Sequence, residues 1–89
     1  MNIYECIALF RDDATEEIIN KSLDKISKVV KVTEIEKWGI RQLVYPIGKS
    51  KKAYYVLIYI VDASEEEILN QFKKDKDIIK YICVRKEMK

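Results

Sequence analysis

The chain has 89 residues, with 17 Lys and Arg against 15 Asp and Glu and no histidine. A chain this short builds one core and buries only about 60–65 % of its unfolded surface, so a separate catalytic lobe is excluded and a single domain over residues 1–89 is expected. The absent histidine removes the commonest general base together with the commonest metal ligand, and an apolar share of 48 % beside a charged share of 36 % excludes a disordered or collagen-like chain.

Ile3 to Phe10 is a short, nearly uninterrupted apolar run ended by Arg11, Asp12 and Asp13, and its length favours a buried strand. Asp13 or Thr15 can cap a following helix, with Glu16 and Glu17 at the positive end of its dipole. Ile19, Leu23, Ile26 and Val30 recur at helical spacing, which predicts a helix over about 15–30. From Val32 to about Ile47 the pattern alternates, with Arg41, Leu43, Tyr45 and Ile47 on one parity and Ile40, Gln42 and Val44 on the other, predicting a long second strand. Pro46 lacks a ladder donor and belongs on an edge strand, while Gly39 beside Trp38 marks a bend or bulge. Gly48 to Lys52 reads as the turn into a third strand, Ala53 to Val61. Ser64 and Glu67 have the spacing of a capping box for a short helix carrying Ile68, Leu69 and Phe72, and Ile78 to Val84 is the fourth strand.

The order βαββαβ is the split βαβ, or ferredoxin-like, α+β arrangement: a four-stranded antiparallel sheet with two helices on one face. The third strand is apolar on both parities, where a strand with one solvated face should alternate. The first strand does the same, with Tyr4, Cys6, Ala8 and Phe10 on one side and Ile3, Ile7 and Leu9 on the other. Only one set can pack under the helices. Tyr55, Leu57 and Tyr59 are therefore assigned to an open face, an apolar patch of the kind that marks a binding surface. The aromatic and glycine consensus of base-stacking sheets is missing from the third strand, so docking of a partner protein is the favoured use.

Charge is unevenly spread. Lys37 to Val61 holds five basic residues (Lys37, Arg41, Lys49, Lys51 and Lys52) and no acid, and Phe72 to Lys89 holds seven basic residues against three acidic ones, with acidic stretches before each. If the two basic blocks meet in space they make a phosphate-binding footprint. Cys6 and Cys83 fit no CxxC metal or redox spacing and read as reduced, small apolar residues. No apolar stretch reaches membrane-spanning length and no signal sequence is evident, so a cytoplasmic protein is expected, with no membrane partner.

At Trp38-Gly39-Ile40-Arg41-Gln42-Leu43-Val44-Tyr45-Pro46-Ile47 the sequence closely resembles the signature strand of the bacterial small-subunit (30S) ribosomal protein six family. Tyr4-Glu5 is similar to that family's opening, Lys52 to Leu57 to its third strand, and Ile78 to Arg85 to its closing strand. The resemblance implies a non-enzymatic, cytoplasmic constituent of the small ribosomal subunit with no cofactor and no small-molecule substrate. It also implies binding to the central domain of 16S ribosomal RNA together with small-subunit ribosomal protein eighteen. Arg41 matches the second basic residue of the family motif, Lys49 a basic position at the hairpin turn, and Arg85 the basic end of the fourth strand, to which Lys86 is added. A guanidinium at Arg41 can fork onto phosphate or a base edge, whereas Lys49 suits a phosphate.

Asn2 and Ile40 stand where the family carries basic residues, which shifts the expected RNA contacts toward Lys37, Lys51, Lys52 and the C-terminal lysines. The chain ends at Lys89 without the long or acidic tail of some members, so tail-dependent modification is not expected. Trp38 reads as a packing or bend residue, and Tyr45 and Pro46 as edge-strand structure, before RNA contacts. Two other functions share the topology. A regulatory or ligand-binding module dimerising through the open face explains Tyr55, Leu57 and Tyr59 but not the acid-free block. An acylphosphatase-type enzyme needs a glycine-rich phosphate loop after the first strand, where this chain has Arg11-Asp12-Asp13-Ala14.

Overall fold

The computed structural model describes residues 3–86, apart from the side chains of residues 44 and 46; the readings at Asn2 and Lys89 lie outside the described residues. The elements run β1 (Ile3–Arg11), α1 (Glu16–Val29), β2 (Lys31–Ile47), β3 (Ser50–Val61), α2 (Glu65–Lys73) and β4 (Ile78–Lys86). The strands form one antiparallel sheet in the order β2-β3-β1-β4. This is the expected ferredoxin-like topology, with β2 at an edge as Pro46 required.

Each helix starts where its cap residue stands. Thr15 accepts the Ile18 N–H at 3.2 Å, and Ser64 accepts the Glu67 N–H at 3.2 Å. The Ser64 hydroxyl also donates to the Glu67 carboxylate at 3.0 Å, so Glu67 closes the first turn through the side chain of the cap. Ile19, Leu23, Ile26 and Val30 point inward from α1 and its C-cap, and Ile68 and Phe72 from α2. They meet Tyr4, Cys6, Ala8, Phe10, Val56, Ile58 and Ile60, the helix-facing parity of β1 and β3, in the main core. The Phe72 ring lies against Tyr81 with centroids 5.5 Å apart.

The β2–β3 hairpin is tighter than the sequence reading. Ile47 pairs with Ser50, so the turn is Gly48-Lys49 alone and β3 begins at Ser50 rather than Ala53. Gly48 has φ +58°, as the first central position of a type II′ turn demands. The register shift between Lys37 and Gly39 makes Trp38 the extra residue of a bulge, and Gly39 has φ +84°. At the other end of the chain, β4 runs two residues past Val84 and takes in Arg85 and Lys86.

Truncating Phe72 to alanine removes a wholly buried ring that α2 inserts over the sheet. The expected loss is about 3–5 kcal/mol, a large part of the roughly 5–15 kcal/mol typical of a small domain, read as a lowered urea midpoint with an unchanged slope.

Candidate nucleic-acid and protein interface

Directly opposed residues of a ladder point to the same side, so the register sorts every side chain of the sheet. Tyr55, Leu57 and Tyr59 oppose Leu9, Ile7 and Glu5 of β1 and lie on the face away from the helices, as the parity argument expects. Ile7 and Leu9 oppose Ile82 and Lys80 of β4, which extends the same face to the far edge.

That face is not a flat patch. Leu57 is only 6 % exposed and forms the floor of a groove of about 220 Å³ walled by Glu5, Ile7, Trp38, Ile82 and Val84. A second groove of about 200 Å³ continues past Ile7 and Ile82, between Lys80 and the hairpin residues Leu43, Tyr45 and Ile47. The hairpin bends over the face here: Leu43 and Ile47 pack with Leu9 and Ala53 in a small second core. Exposed apolar surface sits on the groove walls, at Trp38 (41 %), Tyr45 (82 %), Ile82 (48 %) and Val84 (55 %), rather than at the sheet centre.

Charged side chains flank this groove at both ends. Glu34 and Glu36 oppose Tyr59 and Leu57, so with Glu5 they put three carboxylates at one end of the open face, where Lys31 opposes Val61 and Lys86 opposes Ile3. Arg41 opposes Ala53, Lys51 shares that parity two residues along, and Lys80 opposes Leu9, so the other end is basic and carries Lys49 at the hairpin turn. The Arg41 guanidinium lies 5.7 Å from the centroid of the Trp38 ring, a cation–π contact that holds it on the groove wall. Lys52 opposes Gln42 on the other parity of the hairpin.

Not all of the expected basic residues gather there. The bulge at Trp38 leaves Lys37 opposite Val56, on the helix side, where its ammonium bonds Glu16 of α1 at 3.0 Å and also Asn20. Arg85 and Lys86 oppose Tyr4 and Ile3, seven and eight positions from Arg11 along β1 and hence about 23–26 Å from the end where the hairpin emerges. Lys86 is paired with Glu5 at 2.9 Å. The C-terminal basic block is thereby divided. Its other half lies at the opposite end of β4: Lys80 opposes Leu9, and the Arg11 N–H bonds the Asp77 carbonyl at 3.0 Å, while Lys74 and Lys76 line a hollow with Lys25 of α1 and Gln71 of α2. Lys80 was not singled out from sequence; strand parity within residues 78–84 would have marked it.

Arg11 itself is committed. Its guanidinium bonds Asp13 and Asp77, each at 2.8 Å. Asp75 accepts from the Ser22 hydroxyl and from the Asp77 N–H, knitting the α2–β4 turn to α1. Among the described residues no cluster of three or more metal-ligating side chains occurs, and no helix is long and apolar enough to cross a membrane.

A family model described as ribosomal protein S6 matches residues 3–85. The chain belongs to the ribosomal protein S6 family. It is 35 % identical to small ribosomal subunit protein bS6 of Nitrobacter hamburgensis over 98 % of its own length and 64 % of that protein's. With the corresponding protein of Rhodopseudomonas palustris the identity is 36 %, covering 96 % and 58 % of the two chains. With that of Bartonella quintana it is 39 %, covering 98 % and 69 %. The chain thus spans about three-fifths of the length of several of these S6 relatives. The fold matches the crystal structure of 30S ribosomal protein S6 from Thermotoga maritima with a TM-score of 0.83, over 96 % of this chain and 87 % of that one, at 22 % identity. Membership of this bacterial family accords with the cytoplasmic, ribosomal location expected from the sequence.

At the Glu34 and Glu36 end of this S6-family surface, hydrogen bonding to Lys86 and then to Tyr59 holds the Glu5 carboxyl below its ordinary range. The same Glu5–Tyr59 bond, 3.0 Å long, pushes the Tyr59 phenol up, assisted by burial and by the nearby Glu5, Glu36 and Glu34 charges. Because folded Glu5 releases its proton more readily than unfolded Glu5, its contribution to stability is present above the ordinary glutamate pKa and is lost as pH falls through the lowered folded value. Tyr59 has the opposite sign: its contribution is present below the ordinary tyrosine pKa and lost as pH rises through the raised one. A carboxyl titration followed by NMR is expected to give Glu5 a midpoint below that of glutamate in the unfolded chain, and Lys86→Met to move that midpoint upward. An unchanged midpoint in the variant would mean that the pair is not populated in solution.

Proposed function

We propose that this chain is a non-enzymatic structural constituent of the small ribosomal subunit that binds the central domain of 16S ribosomal RNA at its basic end and small-subunit ribosomal protein eighteen on its open sheet face. The observation that carries the reading is the apolar groove of that face, with the cationic hairpin at one end and the carboxylates of Glu34 and Glu36 at the other. Family membership supplies the ribosomal context. RNA phosphates suit the hairpin end, where Arg41, Lys49, Lys51, Lys52 and Lys80 stand. Arg41 and Lys49 supply the fork and the point charge expected of them. Lys37, Arg85 and Lys86 belong to the weaker tier of proposed contacts, because Lys37 must leave Glu16 and the other two stand at the far end of the sheet.

The partner protein suits the groove. Leu57 supplies its floor, Tyr55 and Tyr59 flank that floor, and Ile82, Val84 and Trp38 offer the apolar walls that a docked segment would cover. Glu34 and Glu36 select for cations on that segment. A basic partner gains complementary charge there, whereas RNA is repelled, so the two ligands are sorted to opposite ends of one face.

Binding to a central-domain RNA fragment is expected to weaken steeply with salt. The triple variant Arg41→Ala, Lys49→Ala, Lys51→Ala should reduce the slope of log K against log salt by about 2–3, with less effect from Arg85→Ala and Lys86→Ala together. Equal slopes for the triple variant and the unaltered chain would remove the hairpin from the interface.

Glu34→Lys with Glu36→Lys is expected to lower the on-rate for the partner protein while leaving binding to RNA alone undiminished. If the double variant binds the partner with an unaltered on-rate, the two carboxylates play no part. Failure of the partner to raise RNA affinity at all would remove cooperative assembly, and a stable homodimer without RNA affinity would favour the dimerising module.

A further inference from the structure

Cys6 and Cys83 take no part in the proposed interface, yet the fold brings them together from opposite ends of the chain. They are direct Cα partners across the β1–β4 ladder, and both are free. Such partners have Cα atoms roughly 4.5–5.5 Å apart, inside the span of about 4.4–6.8 Å that a disulfide bridges. Both side chains point to the helix side: Cys6 is wholly buried in the main core and Cys83 packs half-buried against it. The two thiols are within hydrogen-bonding reach of each other.

We propose that Cys6 and Cys83 form a modification site, a preassembled dithiol that a two-electron thiol oxidant such as hydrogen peroxide converts into an intrachain disulfide tying edge strand β4 to β1. Cys83 reacts first because its sulfur is the more accessible, and its hydrogen bond with Cys6 holds its thiol down against burial and the nearby Glu65 charge. The same bond, and then burial, push the Cys6 thiol up and keep it protonated. Peroxide transfers one oxygen to the Cys83 thiolate, giving a sulfenic acid and hydroxide. The Cys6 sulfur then attacks the Cys83 sulfur, the S–OH bond breaks, and the departing hydroxide takes the Cys6 proton as water. The hydroxide released in the first step takes up the proton that Cys83 lost on forming its thiolate. Two thiols are oxidised by two electrons and one peroxide is reduced to two waters.

The consequence falls on the groove. β4 is held in the sheet by β1 alone, and its Ile82 and Val84 form one groove wall. A covalent tie at Cys83, between those two residues, stops that wall from fraying. Thiol–disulfide exchange with a reducing pool reverses it.

The test treats the dilute, folded chain with hydrogen peroxide and follows intact mass, peptide mapping and thermal unfolding. The expected product has lost two hydrogens, carries a Cys6–Cys83 linked peptide, returns to the starting mass with dithiothreitol, and unfolds about 10 °C or more above the reduced chain. Amide exchange in β4 should slow in the oxidised form, and Cys83→Ser should give no intrachain product while folding as before. Only intermolecular dimers, or overoxidised Cys83 beside a Cys6 thiol that still alkylates after unfolding, would overturn the proposal. A crosslinked chain that melts below the reduced one would overturn it as well, because the bond would then not fit the native strand pair.

Discussion

Two helices can cover only one face of a four-stranded sheet, and the rest of this molecule follows from what the uncovered face contains. β1 and β3, the two central strands, are apolar on both parities. One parity closes the main core under α1 and α2, and it contains the wholly buried Phe10, Val56, Ile58 and Ile60. The other parity has no helix, so the chain supplies its own partial cover: the β2–β3 hairpin curls over Leu9 and Ala53, and Trp38 leans beside Leu57. What remains is a groove rather than a bare sheet. Covering Leu57 and Leu9 costs little new structure, because a long two-stranded ribbon twists strongly of its own accord.

Local backbone irregularities decide what surrounds that groove. The bulge at Trp38 shifts the parity of β2, so Glu34 and Glu36 on one side of it and Arg41 on the other all reach the open face, while Lys37 is turned to α1. Gly39 and Gly48 hold the two positive φ values that the bulge and the hairpin turn require, positions where a side chain would be strained. Removing the bulge would exchange the faces of every β2 side chain on one side of it. The electrostatic character of the surface therefore rests on register as much as on composition.

Much of this was legible in the sequence. The six elements, the Ser64 cap, the edge position of β2 and the assignment of Tyr55, Leu57 and Tyr59 to the open face follow from periodicity and from the chemistry of proline and serine, whereas the choice of Thr15 over Asp13 as the first cap and of a bulge over a bend at Gly39 came from the structure. These are local rules, and each residue carries its own signal. The reading was less complete for charge. Two basic blocks stand out in the sequence, but Lys37 is bonded to Glu16, the C-terminal block is split between the two ends of β4, and Lys86 is bound to Glu5. The cysteine reading as reduced and apolar describes each residue singly; it says nothing of their meeting across β1 and β4.

By itself, then, the sequence determined the order of the elements, their polarity and the fact that the sheet carries more apolar surface than its helices can bury, because hydrophobic period and turn chemistry act over a few residues. Tertiary structure alone decided that the leftover surface becomes a groove and which charged side chains flank it. It alone brought Cys6 and Cys83, near opposite ends of the chain, into direct register. Those outcomes depend on pairings between strands far apart in the chain, which no local signal encodes.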